Sequence, residues 1–246
     1  MAASRNGGEG MTMLIAAAAV FVITHLAIAG TGLRGALVRV LGEGGYMLAF
    51  STISVGSLVW LAYSYNVAQS GGADPQWWQS GRGLHDSGIL IIGLAFFLGV
   101  QGLLSANPTS VAQDKAARDP AVVQGVLRIT RHPFLWAVVL WSAFHLAVNG
   151  DAASVIFFAA FLVLSLLGTW SIDAKRRRAL GPAWEEFARQ TSSIPFAAVL
   201  AGRAKLNIAE SFGWRFWAAM AVFVAVLFAH LWLFGVSPFP GGWRPY

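Results

Sequence analysis

Apolar residues run almost unbroken through six stretches of this 246-residue chain, at about 11–30, 44–66, 87–106, 133–149, 152–172 and 214–235. A helix needs roughly 20 residues to cross the hydrocarbon core of a bilayer. Lipid offers no hydrogen bonds to the backbone, so a spanning segment must satisfy its own N–H and C=O groups, and each run is read as a transmembrane helix. The fourth and fifth are joined only by Asn149, Gly150 and Asp151, a composition that fits a tight turn between antiparallel helices. The first run lacks the basic start and small-residue cleavage site of a signal peptide and is kept as a span. No internal repeat is evident. The longest polar stretches, about 107–132 and 173–213, are loop-sized. The pattern therefore predicts an all-α polytopic membrane bundle, a single membrane domain over 1–246.

Composition agrees with the pattern. Hydrophobic residues make up 57% and charged residues 11% of the chain, and mean hydropathy is +0.61. Soluble domains carry roughly a quarter charged residues, so this surface is built to face lipid. The net charge of +6 is explained by loop placement rather than by nucleic acid. With the N-terminus on one side, that side receives Arg5, Arg82 and Arg244, and the other receives Arg34, Arg39, Lys115, Arg118, Arg128, Arg131, Lys175, Arg176, Arg177, Arg178, Arg189, Arg203, Lys205 and Arg215. Three against fourteen accounts for all 17 basic residues. The fourteen mark the cytoplasmic side and put both termini outside. The absence of cysteine excludes disulfides, thiolate ligands, a Cys nucleophile and covalent c-type haem.

Chemistry is then sought among the five histidines. His85, beside Asp86, and His230 lie near span ends, where a hydrogen-bonded or hydrated ring is expected. His25 and His145 lie well inside apolar runs. Ionisable groups there are costly, and face the bundle interior paired or working. Neutral imidazole is the commonest metal ligand, and histidines on facing helices are a frequent way to hold haem in a bundle. The competing reading is a ring hydrogen-bonded to a neighbouring helix. By helical rise the two rings differ in depth by about 9 Å, which tilted helices accommodate. Trp141 and Asn149 fall one turn either side of His145, on its face.

His132 precedes Pro133 and so caps the cytoplasmic mouth of the fourth span. With Arg128 and Arg131 it forms a cationic collar, suited to lipid headgroups or to an anionic group such as a haem propionate. In "LGPAWEEFARQTSSIPF", Pro182 suits a first helical turn, and Glu185 and Glu186 suit its positive end. Trp184, Phe187 and Ala188 share an apolar face. This predicts a short helix lying on the membrane surface, either a connector or part of a site.

The stretch "RHPFLWAVVLWSAFHLAVNGD", together with "LRGALVRVLGEGGYMLAFSTISVGSLVWLAY", closely resembles the NnrU family of bacterial membrane proteins. "THLAIAGTGLR" and "GPAW…IPF" extend the likeness to about residues 12–200, with the helix at 214–235 outside it. The resemblance implies an inner-membrane protein associated with denitrification and with nitrite or nitric oxide. NnrU proteins are similar in turn to the plastid and cyanobacterial 15-cis-zeta-carotene isomerases, haem b proteins whose ligand motifs look like the segments around His25 and His145. That implies haem b on those two histidines; Asn149, one turn from His145, is then placed either to orient its ring or to serve the turn with its side chain. It implies either a cis–trans isomerase acting on an apolar polyene or a redox- or nitric-oxide-responsive accessory factor. A non-catalytic assembly factor for nitrite or nitric oxide reductase is the alternative. Isoprenylcysteine and phospholipid methyltransferases carry an RHPxYxG motif and a later Glu-bearing segment that look like Arg131-His132-Pro133 and "WEEFARQTSSIP", with Glu186 as the acid. Leu135 and Ala137 replace the motif's Tyr and Gly, so S-adenosylmethionine is not expected.

Overall fold

The computed structural model describes residues 2–28, 32–72, 74–119 and 121–239, with side chains from residue 8 onward. Among them every regular element is a helix, and a lone bridge pairs Gln76 with Asp151. Five helices are long and apolar enough to cross a membrane: Gly8–Ile28, Leu33–Ser70, Arg82–Leu104, Ala152–Leu180 and Trp214–Phe234. The expected fourth span is the helix Pro133–Val148, only 16 residues long. At 1.5 Å per residue it reaches about 24 Å, short of a 30 Å hydrocarbon core. The chain is a membrane protein, and large apolar side chains such as Leu90 and Trp217 stand 78% and 68% exposed on its helices.

The chain divides into two compact units. The first comprises residues 1–80 and 145–171. It contains α1 (Ala2–Ile23), which continues as a π-helical turn over Thr24–Ile28, and α2 (Leu33–Ser70). α2 is 38 residues long and kinks at Gly42, whose φ of 71° and ψ of 167° only glycine adopts without strain. The pattern begins this span at about 44, just past the kink. The preceding "LRGALVRVL" is helical too, since its leucines, arginines and alanine are sound helix formers. The core joins Leu14, Ala17, Ala18 and Phe21 of α1 to Leu61 and Ala68 of α2, and to Ala153 and Ala160 of α6 (Ala152–Leu180). Alanines dominate because small side chains let helix backbones approach closely in lipid. α5 (Pro133–Val148) ends in the expected Asn149–Asp151 turn, and Trp77 N–H donates to the Gly150 carbonyl at 2.7 Å. The indole N–H of Trp78 takes the Ala147 carbonyl at 3.1 Å and the Ser80 hydroxyl takes that of Val148 at 2.9 Å, so orphan carbonyls at the helix end are satisfied.

The second unit comprises residues 81–144 and 172–246. It holds α3 (Arg82–Asp86), α4 (Gly88–Leu104), the body of α5, the last turns of α6, α7 (Pro182–Gln190), α8 (Ala197–Leu200) and α9 (Trp214–Phe234). α4 packs on α9 through Phe96 against Phe223 and Phe97 against Phe216. It meets the start of α5 at Gly102, where a Cβ would lie 2.7 Å from Pro133. α6 runs eight residues past the expected end at 172, because "DAKRRRAL" keeps helix-forming residues in phase. α7 appears where expected, with Pro182 in its first turn. Its apolar face does not lie on lipid. Trp184 and Phe187 are 0% and 2% exposed and pack on Val123 in the unit's own core. An amphipathic pattern shows that one face must be covered, and here protein covers it.

Candidate cofactor site

His25 sits in the π-turn that ends α1. π-Turns are rare and occur often at functional sites. The His25 Nδ1–H donates to the Phe21 carbonyl at 2.7 Å, which assigns the tautomer and leaves Nε2 as the lone-pair nitrogen. Nε2 has no hydrogen-bond partner among the described residues. The ring lies between Phe21, at 4.6 Å between centroids, and Phe50, at 5.7 Å. Phe50 stacks on Tyr46, and the Arg34 guanidinium lies 5.2 Å from the Tyr46 ring while pairing with Glu43. The ring stack beside His25 therefore ends on a cation. The glycine turn that follows His25 in sequence (Ala29 to Thr31) lies outside the described residues.

His145, one turn from the end of α5, stacks on Phe158 of α6 at 4.9 Å and 25°. A row of phenylalanines then leads back towards α1. Phe158 meets Phe157 at 5.1 Å, Phe157 meets Phe161 at 5.2 Å, and Phe161 meets Phe21, the neighbour of His25, at 5.1 Å. Both histidines thus belong to the first unit and border one apolar, aromatic region. Asn149 donates its backbone N–H to the His145 carbonyl at 2.9 Å. Trp141 packs in the second unit, against the cluster built on Ala95, Leu98 and Ala137. His85 is exposed in α3, and His230 Nδ1–H donates to the Val236 carbonyl at 2.9 Å. Among the described residues no group of three or more His, Cys, Asp or Glu side chains is placed to hold a metal ion.

The collar belongs to the second unit, and its charges are matched internally. Arg131 grips Asp173 of α6, with Nε 3.0 Å from both carboxylate oxygens and Nη2 also bonded. His132 Nε2–H donates to the same Asp173 at 2.8 Å. His132 is 1% exposed, and burial pushes its pKa down, so the ring is held neutral with Nδ1 buried and unpartnered among the described residues. Arg128 forms a two-toothed pair with Glu210, at 2.7 and 3.0 Å. Neither acid was among the candidates read from sequence. The available signal was that Asp173 is the lone acid in the "SIDAKRRR" basic run.

Glu210 carries a pH consequence. The Arg128 guanidinium and the Gly125 N–H hold its pKa at about 2, against an ordinary 4.5. With the folded pKa depressed, the bridge's contribution is complete above about pH 4.5 and is lost as pH falls from there through about 2. Glu210→Gln is expected to flatten the melting-temperature profile across that window while leaving its shape above pH 6 unaltered.

An all-helical membrane chain with two histidines bordering one aromatic region defines the class. The chain belongs to the NnrU protein family, whose model matches residues 13–238 and so includes α9. Two curated relatives are both described as "15-cis-zeta-carotene isomerase, chloroplastic". That from Zea mays is 28% identical over 193 residues, covering 76% of this chain and 50% of the relative. That from Arabidopsis thaliana is 27% identical over 236 residues, covering 92% and 61%. The matched part of the chain thus spans half to three-fifths of the length of these relatives. No solved structure matches it.

Proposed function

We propose that this chain is a haem b protein that isomerises a cis double bond of an apolar polyene, with His25 and His145 as the iron ligands. The observation that carries the reading is His25 itself. Its tautomer is set by the Phe21 carbonyl, and its Nε2 lone pair is left unspent in apolar surroundings. His25 is half-buried, and in a bilayer an acceptor without a partner finds no water to pair with, so coordination to a metal removes that cost. The donor set fits haem: two imidazoles, no thiolate, and aromatic rings to flank a planar macrocycle. Haem iron, when bound, supplies a redox-adjustable centre. The chain's own residues bind and orient. Phe157 and Phe161, half-buried over the buried Phe21 and Phe158, offer a dry aromatic surface that suits a conjugated chain, and Arg34 is the cation placed to meet a propionate. The two relatives named as isomerases support the same reaction class.

The test is an absorption spectrum of the purified full chain made with haem supplied. Wild type is expected to show a low-spin Soret band, with His25→Ala and His145→Ala each losing at least tenfold in haem per protein. A colourless wild type would leave a non-catalytic membrane factor. His145→Ala with unchanged haem and a low-spin spectrum would overturn the ligand assignment.

The same proposal puts the chain in a bacterial inner membrane, on the strength of its NnrU membership, with both termini outside, on the strength of the basic-residue count. Arg244, one of the three outside charges, lies beyond the described residues. A reporter fused within 173–213 is expected to report the cytoplasm, and a periplasmic signal would sink the topology.

A further inference from the structure

The second unit carries a groove that the haem reading does not use. It has a volume of about 1120 Å³ and lies between the end of α6, α7 and the segment 191–203. We propose that it binds the phosphate of an anionic amphiphile whose apolar chain leaves over the exposed rim at Ile194 and Leu200.

The first observation is charge. Arg131, Arg177, Arg189 and Arg203 line the groove against the carboxylates of Glu185 and Glu186. Each carboxylate is already matched, Glu185 by Arg177 at 2.9 Å, and Glu186 by Arg189 and by the Gln190 amide. The second is that two of the guanidiniums are held in place while keeping donors in reserve. Arg203 spends Nη1 on the carbonyls of Ala188, Arg189 and Thr191 at the end of α7, leaving Nε and Nη2. Arg131 spends Nε and Nη2 on Asp173, leaving Nη1. Ser193, also in the lining, has its carbonyl taken by the Thr130 hydroxyl and the Trp136 indole, so its hydroxyl is delivered on a pinned backbone. Guanidiniums already oriented by other bonds lose little freedom on gripping a phosphate, whose oxygens match the fork geometry.

The third observation selects an amphiphile over free phosphate. Ile194 lines the groove and is 65% exposed, and Leu200, at the end of α8, whose first residue Ala197 lines the groove, is 86% exposed. In a membrane protein such side chains border acyl chains, so headgroup and tail are both accommodated at one interface.

The experiment uses the full chain in neutral detergent. Binding is measured by calorimetry for dioctanoyl phosphatidic acid, inorganic phosphate, dioctanoylglycerol and S-adenosylmethionine. Saturable binding is expected for the phosphatidic acid, at least tenfold tighter than for either inorganic phosphate or dioctanoylglycerol. The exposed double variant Arg177→Gln/Arg189→Gln removes two of the four lining guanidiniums and leaves Glu185 and Glu186 in the groove without their guanidinium partners. It is expected to weaken binding at least tenfold with an unchanged melting temperature, since both pairs are exposed. Ser193→Ala gives a second, milder reading, and Arg215→Gln, outside the groove, is expected to bind as wild type. Equal affinity for inorganic phosphate would make this a free-anion site. Equal affinity for dioctanoylglycerol would make it a detergent-like apolar patch. Displacement by S-adenosylmethionine would make it a nucleoside-cofactor site. Each of these overturns the proposal, as would a double variant that binds like wild type. None of the readouts involves haem, so failure here leaves the His25–His145 reading untouched.

Discussion

Asp173→Ala is expected to destabilise the chain by about 3–5 kcal/mol, the cost of breaking a buried ion pair by removing one partner. Asp173 is the common acceptor for Arg131 and His132, whose side chains are 12% and 0% exposed. Without it the guanidinium loses its counter-charge, and the imidazole loses the bond on Nε2 while Nδ1 is already unpartnered. Both consequences fall on the segment that begins α5, since the Arg131 N–H is also bonded to the Ser192 carbonyl. Asp173→Asn keeps an acceptor for His132 and should cost less. Denaturant titration in micelles, followed by circular dichroism, measures both variants. A loss below about 1 kcal/mol for the alanine variant would mean that water reaches the pair, as it does for exposed salt bridges.

The second large effect is at Trp184, which is fully buried against Phe187 and Val123 and lies 5.7 Å from the Arg131 guanidinium. Trp184→Ala leaves a cavity and removes that cation–π contact, with an expected cost of about 3–5 kcal/mol. Trp184→Phe separates volume from chemistry. The indole N–H is buried without a partner among the described residues, so deleting it offsets part of the lost volume, and a change within about 1 kcal/mol is expected. If the phenylalanine variant proved as damaging as alanine, the indole N–H would have to be bonded, and the packing account of α7 would be wrong.

These two residues mark where sequence reading stopped. The apolar face of "PAWEEFARQ" is legible from spacing, since Trp184 and Phe187 recur at helical period. What covers that face is not, because lipid and a protein core satisfy the same pattern. The collar behaves likewise. Arg128, Arg131 and His132 are visible as a cluster of donors, but Asp173 and Glu210 lie 42 and 82 residues away from the partners they neutralise. Nothing local announces a pairing made by a chain returning from another helix.

The histidines divide the same way. That His25 and His145 occupy apolar helices follows from the run of residues around each. That His25 stands on a π-turn with its Nδ1–H spent on Phe21 does not, because helix width is set by how α1 ends against its neighbours. The row from Phe158 to Phe21 is likewise invisible in one dimension, since it crosses from α6 to α1.

By itself, then, the sequence determined the membrane class, the helical composition, the apolar body of each long helix and which donors are present. Each of these depends on local hydrophobic period, backbone satisfaction in lipid and residue type. The starts of α1 and α2 and the end of α6 extend beyond the apolar runs. Tertiary structure alone decided which charges cancel, which apolar faces meet protein, and which arginines keep donors free around a groove. Those outcomes depend on contacts between segments far apart in the chain, and no local pattern encodes them.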